Sequence, residues 1–187
     1  MLLNHLKKRT DKSLKSFAYF LHKLGFTPNS LTLVSFMFTI GAVALFAFGK
    51  PFYAGLALLV DYFLDLFDGL IARTTNQKTD IGYFLDRFTD ATRRTCWIAM
   101  AASGLLTYSL AAFALLIDSF GFLIPQLLFK TKLRVPKWLF VWTGWLMIPG
   151  ALLGQLVIFT QIAIVLGAAL IVLNFLIIIF LNLKSQK

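Results

Sequence analysis

The sequence has little charge, a single cysteine and no glutamate. Only 14% of its 187 residues are charged and 59% are hydrophobic, whereas an average soluble domain has about 25% charged residues. This composition excludes a water-soluble globule, a disordered chain and a nucleic-acid-binding domain, although the net charge is +10. The lone cysteine, Cys96, excludes an internal disulfide.

Long apolar stretches make up most of the chain and predict a membrane protein. A membrane-spanning helix needs about 20 mostly apolar residues, and the apolar stretches provide for six. We predict one span in each of Leu31 to Gly49 and Pro51 to Ala72, and two in each of Gly82 to Phe129 and Trp138 to Leu183. The turns inside the paired stretches are expected near Gly104 to Ser109 and at Pro149, Gly150, Gly154 and Gln155.

The basic residues support this arrangement because six spans place nearly all of them on one side. They cluster before span one and after spans two, four and six, and the opposite loops contain only Lys50. Basic loops favour the cytosolic side and face anionic lipid. The predicted topology therefore has both termini in the cytosol of a prokaryotic cell, with the chain integral to its membrane.

The first 27 residues form a separate predicted element. Apolar side chains such as Leu14, Phe17 and Leu21 recur at helical spacing, with lysines on the other face, a pattern typical of a helix in the membrane interface. We expect Pro28, Asn29 and Ser30 to end this helix and to offer N-cap oxygens to span one. The predicted fold is thus an all-α integral membrane protein of one domain, residues 1–187, with an interfacial amphipathic helix over 1–27 and six transmembrane helices over 28–183.

Six of the eight aspartates lie between residues 61 and 90. Asp65 and Asp68 share a face of span two, and Asp86 and Asp90 share a face of span three, so four carboxylates can converge near the cytosolic end of adjacent helices. Such a cluster needs cations, and oxygen ligands without histidine or cysteine favour Mg²⁺ or Mn²⁺, or else Ca²⁺. Two divalent ions would hold phosphates there.

The remaining aspartates of this stretch have more than one interpretation. Asp61 lies one turn before Asp65, where it could orient a metal ligand, pair with a buried base, stay a neutral acid or bind metal directly. Asp80 is expected to be the N-cap of span three.

These residues resemble a known signature. The order Asp65, Asp68-Gly69, Ala72-Arg73, Gly82, Asp86, Asp90, with its spacing, is similar to the motif of the CDP-alcohol phosphatidyltransferases, and Pro28 to Thr32 also resembles that family. The resemblance implies transfer of a phosphatidyl or archaetidyl group from CDP-diacylglycerol or a CDP-archaeol type lipid to a small polar alcohol, with release of CMP. It also implies a homodimer.

The same resemblance implies a role for each motif residue. Asp65, Asp68, Asp86 and Asp90 would bind the two metal ions, and Asp90 would also be the general base that takes the acceptor proton. The residues implied in binding the CDP group are Thr32, Asp65, Gly69, Ala72, Arg73 and Gly82.

The acceptor alcohol stays open at this stage. Basic residues near the aspartates and in the loop after span four would suit a phosphorylated polyol such as inositol phosphate or glycerol 3-phosphate, and serine is the alternative. The candidate acceptor-binding residues are Arg93, Arg94, Lys130, Lys132 and Arg134. From another class of protein, a cation transporter would also bury an acidic site, but such sites lie near the bilayer midplane, often between two repeated halves.

Overall fold

A computed structural model describes residues 16, 19–21, 23–77, 79–129 and 143–185. Every element in this part of the chain is helical, which confirms the predicted all-α class. The chain forms two compact units: Met1–Ala42 with Leu56–Arg93 (unit 1), and Val43–Gly55 with Arg94–Lys187 (unit 2).

Helix α1, Pro28–Ala47, begins at Pro28, before Asn29 and Ser30, the two residues whose side-chain oxygens were expected to cap it. Thr27 caps it, because the Thr27 hydroxyl accepts a hydrogen bond from the Ser30 amide at 3.2 Å and the Ser30 hydroxyl accepts one from the Thr27 amide at 3.0 Å. Pro28 occupies the first helical position, where its missing N–H costs nothing. The expectation that Asn29 and Ser30 precede the helix was therefore wrong, although Ser30 does contribute to the cap.

Helix α2, Pro51–Thr74, contains the first aspartate pair, and α3, Asp80–Arg93, contains the second. The turn after α2 has Asn76 in the left-handed conformation at φ 54°, which asparagine tolerates better than most residues. The N-cap of α3 is Thr79, whose hydroxyl accepts a hydrogen bond from the Gly82 amide at 3.0 Å. Asp80 is thus the first helical residue, where its charge favours the helix dipole, rather than the cap.

Unit 1 is held together by apolar and polar contacts between α1 and α2. Buried Leu31 and Ile71 pack against partly buried residues that include Leu64 and Phe67. The α3 helix adds Phe88, whose ring lies 5.4 Å from that of Phe36 on α1. These contacts bring the start of α1, the second half of α2 and the start of α3 to one end of the unit.

Unit 2 contains the remaining helices. They are α4, Thr95–Ala102; α5, Tyr108–Phe129; a 3₁₀ helix, Thr143–Leu146; α6, Met147–Leu152; and α7, Leu156–Ser185. Within this unit α5 packs against α4 and α7, and α6 packs against α7. Gly104 and Gly154 adopt positive φ angles of 76° and 66° in the turns that follow α4 and α6, as a helix C-terminus favours.

Both predicted turns are present, but Pro149 and Gly150 are not part of the second one. They lie inside α6. Pro149 falls in the first turn of this short helix, where amides have no helical acceptor. A Cβ on Gly150 would lie 2.9 Å from the Cβ of Phe159, so the glycine allows α6 and α7 to approach closely.

Two of the described helical segments are long and apolar enough to cross a membrane, namely Pro28–Ala47 and Leu156–Phe180. The six-span arrangement and the cytosolic termini stay predictions. Most of the predicted interfacial helix over 1–27 lies outside the described residues, as do Lys130, Lys132 and Arg134.

Candidate active site

A cavity of about 520 Å³ lies at the end of unit 1 where α1, α2 and α3 meet. Its walls include Asp65, Asp68 and Asp86, three of the four aspartates predicted to bind metal. They also include all the residues predicted to bind the CDP group: Thr32, Asp65, Gly69, Ala72, Arg73 and Gly82. The start of α1, the second half of α2 and the start of α3 therefore all contribute residues to this one cavity.

Gly82 allows the starts of α1 and α3 to approach each other. A Cβ at this position would lie 2.7 Å from Oδ1 of Asn29 and 3.0 Å from the Thr79 hydroxyl. The Thr79 hydroxyl is also 3.4 Å from the Asn29 side-chain oxygen, to which it donates a hydrogen bond. Because Asn29 and Thr79 both line the cavity, the missing side chain of Gly82 sets the width of the cavity at this wall.

Gly69 provides room for a basic side chain. A Cβ on Gly69 would lie 3.2 Å from Nη1 of Arg73, one helical turn later. The Arg73 side chain therefore lies back along α2 over Gly69, and both residues line the cavity. This arrangement places a guanidinium next to the aspartates, where it can meet phosphate.

The carboxylate of Asp68 is held by α1. The Thr32 hydroxyl donates a hydrogen bond to Oδ2 of Asp68 at 2.6 Å, and the same hydroxyl lies 3.0 Å from the Pro28 carbonyl. Thr32 and Asp68 are both buried, with 4% and 7% of their surface exposed. One oxygen of Asp68 is thus fixed by a residue of α1 that also lines the cavity.

Asp65 and Asp90 share a single arginine. Arg93 donates to Oδ1 of Asp65 at 2.9 Å and to Oδ1 of Asp90 at 2.7 Å. The same guanidinium makes two hydrogen bonds to Asp61, of 2.6 and 3.1 Å. The arginine predicted to bind the acceptor is therefore placed between three aspartates.

Asp86 and Asp90 flank Arg87, one of the basic residues near the aspartates. Nε of Arg87 lies 3.8 Å from Asp86, and Nη1 lies 3.5 Å from Oδ2 of Asp90. Arg87 also lies over the ring of Tyr83, 5.2 Å from its centroid. Arg87, Tyr83 and Asp86 line the cavity, whereas Asp90 is one turn further along α3 and does not.

The comparison with protein families decides the identity. The CDP-alcohol phosphatidyltransferase family matches residues 26–183. This chain belongs to that family. The match covers all three helices that surround the cavity, and the resemblance predicted from the aspartate motif is confirmed.

Individual relatives of this phosphatidyltransferase chain are known. An archaetidylinositol phosphate synthase of Pyrococcus horikoshii is 35% identical over 89 residues, which are 48% of this chain and 47% of the relative. The aligned part of the chain thus spans about half the length of that protein. The fold is similar to two crystal structures of phosphatidylinositol phosphate synthase from Mycobacterium tuberculosis. One, with manganese and citrate, has a TM-score of 0.70 and covers 87% of both chains, and the other, with CDP-DAG bound, has 0.69 and covers 87% of this chain and 91% of that one; each is 17% identical.

CDP-alcohol phosphatidyltransferases use divalent metal ions, and the donor set of the cavity fits such an ion. Carboxylate oxygens are the ligands that Mg²⁺ and Mn²⁺ prefer, and three aspartates line one space. As the side chains are placed, no three His, Cys, Asp or Glu residues of the described part converge closely enough to hold a metal ion. In this arrangement Oδ1 of Asp65 and Oδ1 of Asp90 each accept a hydrogen bond from Arg93, and Oδ2 of Asp68 accepts one from the Thr32 hydroxyl.

The second predicted acceptor arginine, Arg94, belongs to unit 2 rather than to the cavity. Its Nε lies 4.0 Å from Oδ2 of Asp118, to which the Trp97 indole also donates a hydrogen bond at 3.4 Å. Asp118 has 1% of its surface exposed. The sequence reasoning missed this partner, and the signal that could have found it is a single aspartate in the apolar stretch of α5.

Proposed function

We propose that this chain transfers a phosphatidyl or archaetidyl group from a CDP-linked lipid to the hydroxyl of a small polar alcohol. The acceptor oxygen bonds to the phosphorus that carries the lipid, and the bond from that phosphorus to the bridging oxygen of the diphosphate breaks. CMP leaves with the bridging oxygen. The observation that carries this proposal is the cavity of unit 1, because the predicted CDP-binding residues and three metal-type carboxylates line it together.

Two divalent ions, Mg²⁺ or Mn²⁺, would be bound by Asp65, Asp68, Asp86 and Asp90. When bound, such ions neutralise charge on the diphosphate and on the departing CMP. The manganese in the similar crystal structure from Mycobacterium tuberculosis supports this assignment. Arg73, which lines the cavity beside Gly69, adds a permanent positive charge for the phosphates.

Asp90 would take the proton from the acceptor hydroxyl. Its side chain is partly exposed, at 19%, and one of its oxygens is held by Arg93. The other oxygen faces Arg87, which lines the cavity. A carboxylate fixed in this way at the edge of the cavity can meet a hydroxyl that enters beside the diphosphate.

The site would lie at the cytosolic face of a six-span membrane domain. The lipid tails can then stay in the bilayer, while the acceptor and CMP exchange with water. The predicted basic loops on this side favour that orientation, and the CDP-DAG in the second similar crystal structure supports a lipid donor. A homodimer is part of the same proposal.

The acceptor we propose is a phosphorylated polyol, with inositol phosphate ahead of glycerol 3-phosphate. Two named relatives, an archaetidylinositol phosphate synthase and a phosphatidylinositol phosphate synthase, support this choice. The cavity walls contain two arginines among the described residues, Arg73 and Arg87, and the second is placed to meet an acceptor phosphate beside Asp86 and Asp90. Roles for Arg93, Arg94, Lys130, Lys132 and Arg134 in acceptor binding stay predictions.

The proposal is tested with purified protein, Mn²⁺ or Mg²⁺, and CDP-diacylglycerol or CDP-archaeol. Each donor is combined with inositol phosphate, glycerol 3-phosphate or serine, and CMP release is followed. We expect metal-dependent release that is fastest with a phosphorylated polyol. If CMP release is fastest with serine, serine replaces the phosphorylated polyol as the proposed acceptor. If no combination of donor and acceptor releases CMP, the proposed enzyme activity is wrong and cation transport becomes the hypothesis to test.

A further inference from the structure

Arg93 is the most deeply enclosed cation of unit 1 among the described residues. Only 1% of its surface is exposed. Its guanidinium donates two hydrogen bonds to Asp61 and one each to Asp65 and Asp90, and it lies 4.8 Å from the centroid of the Tyr62 ring. These contacts leave little of the guanidinium for an acceptor phosphate, so its role must be sought in what it holds.

The contacts of Arg93 have two sides of different character. On one side is Asp61, with 0% of its surface exposed and its Oδ1 accepting a hydrogen bond from the Ser35 hydroxyl of α1. On the other side are Asp65 and Asp90, whose side chains are 28% and 19% exposed. Asp61 therefore anchors the arginine in the interior, and the arginine in turn reaches the carboxylates next to the cavity.

The arginine binds only one oxygen of each partner carboxylate at the cavity. It contacts Oδ1 of Asp65 and Oδ1 of Asp90, so it does not occupy Oδ2 of either residue, and Oδ2 of Asp90 lies 3.5 Å from Arg87. A planar guanidinium with several fixed donors can hold two carboxylates at a defined separation on different helices, which a flexible ammonium group does not do. Such second-layer contacts orient the ligands of metal sites elsewhere.

We infer that Arg93, anchored by Asp61 and Ser35, is a positioning residue that fixes the carboxylates of Asp65 and Asp90 for the divalent ions. The inference rests on the proposed function for the identity of the metal ligands. It assigns Asp61 to the support of Arg93 rather than to the metal. It also separates the two adjacent arginines, because Arg94 is placed in unit 2 next to Asp118.

The experiment measures Mn²⁺ binding to the full-length protein in detergent, without substrate, by electron paramagnetic resonance. The variants are Asp61→Asn, Arg93→Lys and the milder Ser35→Ala. Asp61→Asn keeps the shape of the anchor but removes its charge, and Arg93→Lys keeps the charge but removes the planar fork. We expect each of the first two to weaken Mn²⁺ binding about 10- to 100-fold, with a smaller loss for Ser35→Ala.

The matched control is Asp118→Asn, which also removes a buried carboxylate beside an arginine, but in unit 2. We expect its Mn²⁺ affinity to equal that of the wild type. Circular dichroism and size-exclusion chromatography identify any variant that does not fold. If Asp61→Asn does not fold, the Mn²⁺ affinities of Ser35→Ala and Arg93→Lys test the inference.

Unchanged Mn²⁺ affinity in Arg93→Lys and Asp61→Asn would overturn the inference. Tighter Mn²⁺ binding would also overturn it, because it would show that Arg93 competes with the metal for the carboxylates. An equal loss of Mn²⁺ affinity in Asp118→Asn would show that the variants act by general destabilisation, and this result would also overturn the inference. CMP release by the wild type is measured separately. An inactive wild type that binds Mn²⁺ overturns the proposed function alone, whereas an active wild type with unaffected variants overturns the inference alone.

Discussion

At the scale of single residues, the chemistry depends on which oxygen of each aspartate is already engaged. Thr32 holds Oδ2 of Asp68, and Arg93 holds Oδ1 of both Asp65 and Asp90. Each of these carboxylates therefore keeps one oxygen for a metal ion or a proton. Asp90 differs from the others because its second oxygen faces Arg87 at 3.5 Å rather than the cavity itself, which suits a base that acts at the edge of the site.

This position makes Asp90→Asn the most direct test of the base. The amide has nearly the shape of the carboxylate but cannot take a proton, so we expect CMP release to fall at least about 100-fold. Binding of the CDP-lipid, measured by isothermal titration calorimetry, should change little in comparison. Asp80→Asn is the control, since Asp80 is exposed at the start of α3 and its replacement should leave turnover unchanged. Normal turnover in Asp90→Asn would take the base role away from Asp90.

At the scale of helices, the bond between Thr32 and Asp68 joins α1 to α2 at the cavity. Replacing Thr32 with valine keeps the shape of the side chain and removes the donor. A lost hydrogen bond to a charged group costs about 1.5–3 kcal/mol, so we expect CMP release to fall about 10-fold or more. Thr32→Ser should restore most of the activity because it returns the hydroxyl. Equal rates in the valine and serine variants would show that the hydroxyl does not orient Asp68.

A second prediction at this scale concerns the packing of α5 against α7 in unit 2. A Cβ on Gly167 would lie 2.2 Å from Cγ2 of Ile117, a β-branched side chain whose χ1 angle has one strongly preferred value in a helix. Gly167→Ala should therefore overpack the contact, at a typical cost of about 1–3 kcal/mol, and lower the thermal midpoint by several degrees. Gly121→Ala provides the control, because nothing lies within 4 Å of its added Cβ. Equal midpoints for the two variants would contradict this.

The positions of most helices could be predicted from the sequence, but some of the residues at which the helices begin could not be predicted. Apolar length and glycine-marked turns located α1, α2, α5 and α7, but not the break between α3 and α4. The caps expected at Asn29 and Ser30 and at Asp80 were each placed too late. The structure uses Thr27 and Thr79 instead. In the first case Pro28 carries the missing signal, since proline favours the first helical position and the residue before it is then the cap.

At the scale of the whole molecule, the aspartate site could be predicted in outline because helical spacing alone puts each pair on one face. The partners of the arginines could not. Arg93 and Arg94 are neighbours in sequence, but α3 ends at Arg93 and α4 begins at Thr95, so one arginine contacts the aspartates of unit 1 and the other lies beside Asp118. Spacing along a helix does not predict such a break, and a single aspartate in the apolar stretch of α5 indicates a buried polar partner without identifying that partner as Arg94.

The six-span topology makes a prediction about which ends of the helices are accessible from each side of the membrane. Cys96 is buried with 0% of its surface exposed, so Cys96→Ala provides a background for single cysteines. In that background Lys50→Cys should react with an impermeant maleimide in intact cells, because the loop between the first two spans is predicted to face outward. Ser185→Cys should react only after the membrane is made permeable. Reaction of Ser185→Cys in intact cells would place residue 185 outside the cell. The chain would then not have six spans with both ends in the cytosol, and residue 185 would not lie on the same side of the membrane as a cytosolic active site.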